Sequence, residues 1–284
     1  MLRWTCCLCT VGQVVHTLPE GLTVLGVTSL DNEIFLVRPK AGRDQVEVYD
    51  VITCRLQRCL TVPNAHSVAD MTSCEHYHCL YIGDHIVERV HRLGVDGTAT
   101  RWSVNCGPHG LSVNATHNVI VTCRFVRKIK EFSSHGDLLR ELTLPDDVSH
   151  PLHTIQSRSG QFIVCHANTR RNNRIHRVCM ISADGRHIVH SHGDHCGSDI
   201  GQHDIPCHLA VDDNECVYVV DVIKRRVTLL SPTLSYIRQV VSSDKLKWWP
   251  DALYLDVQRR RLYVTDNEWK EDEAITGRVV VFSV

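Results

Sequence analysis

The chain has 284 residues, 43% of them hydrophobic and 22% charged, and its 31 Lys and Arg nearly balance its 32 Asp and Glu. This composition excludes a disordered chain and a protein that binds polyanions by bulk charge, and the length suits one large all-β fold. No apolar run approaches the roughly 18 residues that a transmembrane helix needs, so no membrane association is expected.

The N-terminal stretch MLRWTCCLCTVGQVVH lacks a long apolar region and a cleavage site, so we expect no signal peptide and a cytoplasmic location. The 14 cysteines are then expected to be mostly buried free thiols, since a reducing compartment opposes disulfides. Cys79, Cys165 and Cys179 lie in apolar runs typical of strands. Disulfides or a zinc site remain the alternative for some of them.

In chain order, a pair of short apolar runs separated by a polar turn recurs six times. The units span 24–50, 65–93, 107–133, 150–182, 205–232 and 249–283. The second run ends, in successive units, at Arg38, Asp84, Cys123, His166, Asp221 and Asp266, with spacings of 46, 39, 43, 55 and 45 residues. Repeats of this length that contain only short β-like runs are typical of propeller blades.

Each unit reads as four strands. In the fifth unit these are HLAVD, CVYVVD, RVTLLS and YIRQVV, and turns such as GVDG, SSHG, SADG and SPTL join the third strand to the fourth. The sequence therefore predicts an all-β fold, a six-bladed β-propeller of four-stranded antiparallel blades.

The last unit ends after its third strand, and residues 9–17, CTVGQVVHT, can supply the missing fourth strand. We therefore expect a single propeller domain over residues 1–284, with 1–17 as closing strand and tail and six blades over about 18–284. Closure of this kind leaves no long unpaired edge.

The meander places the start of each first strand and the end of each second strand at one mouth of the ring. Long connections at this mouth, 38–45, 166–174 and 266–277, favour it for binding. The predicted ligand-binding face comprises Arg38, His66, Asp84, His109, Arg124, His153, His166, His208, Asp221 and Asp266. The alternative is structural, because an Asp after a strand often caps a turn and a His can pack as a hydrogen-bonded ring.

Four of these histidines are candidate metal ligands: His109, His153, His166 and His208. Three His can hold zinc in an open catalytic site, although no metal site is firm and no cofactor is predicted. GPHGLSV resembles a ligand segment of the peptide-amidating three-His lyases, but only His109 keeps that frame, and His153 and His208 sit one residue later. The alternative function is therefore a small-molecule enzyme, a metal-assisted lyase or hydrolase with a His-lined axial pocket.

Basic residues cluster near the second-to-third-strand connections of units 3, 4 and 5. Beside Arg124, this predicted basic arc comprises Arg127, Lys128, Arg170, Arg171, Arg174, Lys224 and Arg225. Such an arc can hold single-stranded RNA or an acidic protein surface, while solvated loop charges are the plainer interpretation.

The blade pattern, best seen in PCHLAVDDNECVYVVDVIKRRVTLLS and in PDALYLDVQRRRLYVTDNEWK followed by GRVVVFS, resembles NHL repeats. The resemblance covers about residues 20–284. It implies a six-bladed propeller like the C-terminal domain of tripartite-motif proteins, which binds protein or single-stranded RNA. The chain has no RING array, so the sequence favours a binding or scaffolding propeller that recognises a protein or RNA partner through one loop-rich face.

Overall fold

Short runs rich in Val, Ile, Leu and Tyr form the strands, because β-branched and aromatic side chains fit a pleated, packed surface. The computed structural model describes residues 12–39, 45–168, 175–193, 202–270 and 273–284. Its strands form six four-stranded antiparallel sheets arranged as a ring, which confirms the predicted propeller.

The strands follow the chain blade by blade after an N-terminal strand. They are β1 (Gln13–Thr17); in blade 1, β2 (Gly26–Leu30), β3 (Glu33–Arg38), β4 (Gln45–Asp50) and β5 (Leu56–Thr61); in blade 2, β6 (Val68–Cys74), β7 (Cys79–Asp84), β8 (Arg89–Gly94) and β9 (Ala99–Ser103); in blade 3, β10 (Pro108–Val113), β11 (Val119–Cys123), β12 (Lys128–Phe132) and β13 (Leu138–Thr143).

The second half of the ring repeats this order. Its strands are, in blade 4, β14 (Pro151–Gln156), β15 (Phe162–Ala167), β16 (His176–Ile181) and β17 (Ile188–His192); in blade 5, β18 (Pro206–Val211), β19 (Val217–Asp221), β20 (Arg226–Leu230) and β21 (Tyr236–Val241); in blade 6, β22 (Leu253–Asp256), β23 (Arg261–Lys270) and β24 (Glu273–Ser283). Among the described residues, the sole helical segment is the 3-10 turn Ser243–Lys245, and no helix is long and apolar enough to cross a membrane.

Burial falls from the axis outward across each blade. The first strands, which we call inner strands, contact one another around the axis, and second strands such as β7 and β19 are buried along their whole length. The outer strands β5 and β13 are largely exposed. The apolar core therefore lies between neighbouring blades and holds the inner strands rigidly in place.

The ring closes as predicted. Strand β1 pairs antiparallel with β24, with Val14 opposite Phe282 and Thr17 opposite Val280. Sheet order β1-β24-β23-β22 makes β1 the outer strand of blade 6. Of the segment predicted to supply this strand, residues 9–11 lie outside the described residues.

The prediction of a long loop over residues 266–277 is wrong. Strands β23 and β24 continue into it as a paired extension, with Asp266 opposite Arg278 and Asn267 opposite Gly277. The extension is held by neighbouring chain segments: Asn267 Oδ1 accepts from Val24 N at 3.0 Å, and Asn267 forms an isolated bridge with Trp249. The other two predicted loops fall partly outside the described residues.

Cysteine chemistry also departs in part from expectation. Cys106 and Cys123 form a disulfide, whereas eight other described cysteines are outside disulfides, most of them buried as expected. This pair was not predictable from the sequence, because the two residues come together only when strand β11 returns to the start of β10.

Candidate functional site

Six residues at the ends of the second strands lie at one mouth of the ring, which we call the loop face. Each stands opposite, or next to, the first residue of an inner strand; Asp84 is opposite Val68 and Asp221 is opposite Pro206. We call this place in each blade the anchor position, because its side chain contacts the chain segment that enters the inner strand.

The three aspartates at anchor positions accept backbone hydrogen bonds. Asp84 Oδ2 accepts from His66 N at 2.6 Å, and Asp221 Oδ1 accepts from Asp204 N at 3.0 Å. Asp266 accepts from the backbone of Lys247 and Trp248, and Arg278 donates to it. All three aspartates are fully buried. Their contacts give them a structural role, whereas the His66 side chain is exposed at the same mouth.

Blades 1, 3 and 4 use other chemistry at the anchor position. Arg38 donates to the carbonyl oxygens of Pro19, Leu22 and Gly277. Cys123 forms its disulfide with Cys106, which is the residue equivalent to His66 of blade 2.

In blade 4 the anchor residue is His166. It is buried, with Nε2 3.5 Å from Cys179 Sγ. Burial, and then the charge of Arg177, lower the pKa of His166 to about 4. Aspartate thus occupies the anchor position in three blades, and arginine, cysteine and histidine occupy it in the other three.

His109 and Arg124 form a hydrogen-bonded pair beside the axis. His109 Nδ1 lies 3.0 Å from Leu152 O, and Arg124 Nη1 lies 3.1 Å from His109 Nε2. Burial and the Arg124 charge lower the pKa of His109 to about 4, so the ring is neutral, donates through Nδ1 and accepts through Nε2. Both ring nitrogens are therefore engaged.

The structure brings His153 and His208 together at the axis. Their ring centroids are 3.8 Å apart, and both rings lie beside Asp70, with His208 Nε2 3.4 Å from Asp70 Oδ1 and His153 Nε2 3.7 Å from Asp70 Oδ2. Burial and the His208 charge lower the pKa of His153 to about 3. Burial raises the pKa of Asp70, but the two histidines and the Leu111 amide outweigh it and lower that pKa overall. His109 and His166 do not join this cluster.

An axial cavity of about 230 Å³ opens between this cluster and the loop face. Asp251 lines it, and burial raises the pKa of that carboxyl despite hydrogen bonds from Asn267 Nδ2 at 3.1 Å and Trp269 Nε1 at 3.2 Å. Cys207 Sγ donates to the Asp251 carbonyl oxygen at 3.0 Å. A carboxyl group whose pKa is raised by burial at a cavity wall is a feature of functional sites.

The described cations of the predicted basic arc mostly contact carbonyl or carboxylate groups of the protein itself. Arg225 donates to the carbonyl oxygens of Leu246 and Trp248, and Lys224 donates to that of Gln202. The cations of blade 3 also have partners, since Arg127 pairs with Asp146 and Lys128 with Glu141. Arg170, Arg171 and Arg174 lie outside the described residues. The sequence displays these charges, but only the fold reveals the carbonyl and carboxylate groups they face.

Three blades expose a large apolar side chain at the same place on the loop face. The connection after the anchor residue is a four-residue turn in blades 2, 3 and 5, ending at Glu88, Arg127 and Arg225 with φ of 52°, 53° and 49°. The residues two positions after the anchor are Ile86, Phe125 and Ile223, which are 68%, 69% and 49% exposed. We call these three the loop-tip residues. Trp269, 47% exposed, adds a fourth apolar group at the rim of the axial cavity.

Sequence reasoning missed Asp70, Asp251, Trp269 and the loop-tip residues. A signal existed for the loop tips, because each stands two residues after the end of the second apolar run. Asp70 was hidden by an irregularity: in β6, β14 and β18 the pairing shifts between the first and third residues, which places Asp70, His153 and His208 in one register.

The chain matches no known family profile and no curated protein sequence. Solved structures resemble it in fold. Virginiamycin B lyase from Staphylococcus aureus aligns with 92% of this chain and 87% of its own at a TM-score of 0.60 and 13% identity. A streptogramin B lyase aligns with 94% of this chain and 88% of its own, at a TM-score of 0.62 and 13% identity. Hydrazine synthase from Kuenenia stuttgartiensis aligns with 88% of this chain and 94% of its own, at a TM-score of 0.58 and 14% identity.

At these identities the likeness establishes the fold alone. The six-bladed propeller is thus confirmed, whereas the resemblance to NHL repeats is not confirmed by any family match.

Proposed function

We propose that the protein is a binding propeller that recognises an apolar segment of a partner protein through its loop face. The observation that carries this proposal is the exposure of Ile86, Phe125 and Ile223 from equivalent turns of three blades. Single exposed apolar residues are ordinary, but a set repeated at one position on one face is typical of an interaction surface.

The neighbouring contacts favour a continuous surface across two blades. The His85 ring lies 5.8 Å from the Phe125 ring, so the connections of blades 2 and 3 touch, and the Arg124 guanidinium lies 5.6 Å from the same ring. Aromatic and aliphatic groups beside an Arg are the composition of interface hot spots. The closed blades hold these residues on a rigid scaffold, which limits the entropy lost on binding.

A protein partner fits better than RNA, because the cations near this face mostly bind the protein's own carbonyl and carboxylate groups. RNA binding would need these groups to contact phosphates, and it would weaken steeply with salt.

The test compares three forms of the full chain by affinity capture with quantitative mass spectrometry. The first is wild type, the second carries Ile86→Ser, Phe125→Ser and Ile223→Ser, and the control carries Ile52→Ser, Leu138→Ser and Val189→Ser. The control removes three comparably exposed apolar groups that lie in a turn between outer strands or on the outer strands themselves. A partner retained by wild type and control and lost by the loop-tip variant supports the proposal. Equal recovery by all three forms, or partners released by ribonuclease, would contradict it.

A second candidate function is a small-molecule enzyme acting in the axial cavity. The Asp251 carboxyl, whose pKa is raised by burial, lies in the cavity wall with His109, Cys207 and His208. A carboxyl group with a raised pKa is suited to act as a general acid or base. An activity that is lost in His208→Gln but retained by the loop-tip variant would assign the function to the cavity.

A further inference from the structure

The neck of the axial channel is formed by three side chains that metal ions favour. One ligand atom from each of Asp70, His153 and His208 lies within 4.8 Å of the other two. His153 and His208 line both the cavity toward the loop face and a second cavity of about 340 Å³ on the opposite side, and Asp70 lines the former. A small ion therefore has an approach from either mouth of the channel.

The fold brings these three groups together because they occupy equivalent positions in the inner strands of three blades. Asp70 pairs with Gly83, His153 with Cys165 and His208 with Val220, all at the third residue of the inner strand or its equivalent. The other inner strands carry small residues at this level, such as Gly26 and Gly110. Thus three blades supply polar side chains and the others leave room for them.

Gly110 makes the approach of His153 possible. A Cβ atom at Gly110 would lie 2.6 Å from Leu152 O, 2.9 Å from His153 Cα and 2.9 Å from His153 Cδ2. Any larger residue would push His153 outward, so glycine at this position fixes one of the two imidazoles at the axis.

Both imidazoles keep an unused nitrogen. His153 Nε2 donates to Leu111 O at 2.9 Å, and His208 Nε2 faces Asp70 Oδ1, while Nδ1 of each ring is buried with no hydrogen-bond partner. A neutral imidazole has one proton and one lone pair, so each ring can offer one nitrogen to an ion. Asp70 accepts from Met71 N at 2.8 Å and from Leu111 N at 2.7 Å, which fixes the carboxylate and leaves further lone pairs on its oxygens.

We propose that Asp70, His153 and His208 bind one divalent transition-metal ion of the zinc type in the neck of the axial channel. Two imidazoles and one carboxylate form a ligand set that suits zinc and its first-row neighbours. The Leu111 carbonyl accepts a hydrogen bond from His153, and the Leu111 amide donates one to Asp70. Hydrogen bonds of this kind commonly orient the ligands of metal sites. Three protein ligands leave a fourth coordination position that opens to the cavities.

The experiment uses the full chain, stripped with a chelator and titrated with Co²⁺ and then Zn²⁺. We expect one equivalent of Co²⁺, with visible absorption bands of nitrogen and oxygen ligation, and displacement by Zn²⁺. His208→Gln should weaken binding by more than about 100-fold, since loss of outer partners alone weakens metal sites by about 10- to 100-fold. Asp70→Asn should act likewise, and circular dichroism checks that each variant is folded.

The matched control is His109→Gln. His109 lines the same cavity but is held by Leu152 and Arg124 outside the cluster, so this variant should bind Co²⁺ as wild type does. Wild type that takes up no Co²⁺, or His208→Gln that binds it equally well, would overturn the proposal. Strong sulfur-to-cobalt charge-transfer bands would also overturn it, because they would place the ion on cysteines. The experiments test the metal site and the proposed loop-face function independently, because the loop-tip variant leaves Asp70, His153 and His208 unchanged.

Discussion

Arg38 and Asp221 occupy the anchor positions of blades 1 and 5 and bind the chain with opposite polarity. Arg38 Nη1 donates to Gly277 O at 3.0 Å, whereas Asp221 Oδ1 accepts from Asp204 N at 3.0 Å. Both side chains are buried, so each satisfies backbone groups that water cannot reach. A carboxylate, a guanidinium or a disulfide at the anchor position can therefore each connect the end of the second strand to a neighbouring segment of the chain.

Replacing Asp266 by Ala should reduce the free energy of unfolding by about 3 kcal/mol, because the backbone amides of Lys247 and Trp248 and the Arg278 guanidinium all lose their buried acceptor. Urea denaturation measures this loss. Asp266→Asn keeps one acceptor oxygen and should lose less.

The control is Asp213→Ala, which removes an exposed partner of Arg158 and should change stability by less than about 1 kcal/mol. Equal effects of Asp266→Ala and Asp213→Ala would show that the anchor contact contributes little.

The Cys106–Cys123 disulfide should stabilise the fold by about 3 kcal/mol, because it closes a short loop in the unfolded chain with a sequence separation of 17. The variant Cys106→Ser, Cys123→Ser should be less stable than wild type by this amount without reductant, and the gap should narrow once wild type is reduced. Alkylation with mass spectrometry checks the bond directly, since both cysteines should resist labelling until reduction. Labelling of both in the folded, unreduced protein would contradict the prediction.

The fold was predictable because each blade repeats its own local signals. The runs CVYVVD and RVTLLS became β19 and β20 within a residue or two, and CTVGQVVHT yielded β1. The extension of β23 and β24 was not predictable in this way, because its pairing depends on Asn267, which bonds to Val24 far away in sequence.

Stability should fall as pH is lowered from about 6.5 to about 4. Burial lowers the pKa of His109 and of His166 to about 4 and that of His153 to about 3, from the ordinary histidine value of 6.5. Within this window the unfolded chain binds protons that the native protein does not, so the free energy of unfolding rises with pH and levels off above about 6.5. We expect a loss of about 1 to 2 kcal/mol per histidine between pH 7 and pH 5.

Urea denaturation at the two pH values tests this expectation, with His109→Gln as the comparison. That variant should lose less stability on acidification, because one of the three histidines no longer titrates. Asp70 and Asp221 have lowered pKa values, so their protonation affects stability only at more acidic pH. Identical stability at pH 7 and pH 5 would contradict neutral burial of the histidines.

Gly110→Ala should destabilise the protein by about 2 kcal/mol, because the added Cβ meets the backbone of Leu152 and His153, which cannot move without displacing β14. Gly83→Ala is the matched control on a neighbouring strand, since its Cβ would meet Leu111 and Pro108 at an ordinary 3.4 Å. Thermal and urea denaturation should separate the two variants. A Gly110→Ala protein as stable as the Gly83→Ala protein would mean that the neck of the channel is loosely packed.

The candidate site was harder to predict than the blades. In the sequence comparison, His109 matched a known ligand segment, whereas His153 and His208 stood one residue later than its histidine. In the structure, the shifted strand pairing places His153 and His208 in register with Asp70, and His109 lies one residue before that level. A one-residue shift in an inner strand changes which side chain faces the axis. Charge and residue type are visible in a sequence, but such a shift appears only when strand pairing is known.

Strand β1 should contribute a large share of the ring's stability. A chain that begins at Leu18 leaves the backbone groups of β24 without a partner on one side, because β1 pairs with it from Gln13 to Thr17. We expect a lower unfolding temperature and concentration-dependent association, since an exposed edge strand pairs with other chains. A chain that begins at Gly12 is the control, because it keeps every described pairing of β1. Light scattering and calorimetry compare the two, and a Leu18 chain that stays monomeric and as stable as the Gly12 chain would show that blade 6 holds together without its outer strand.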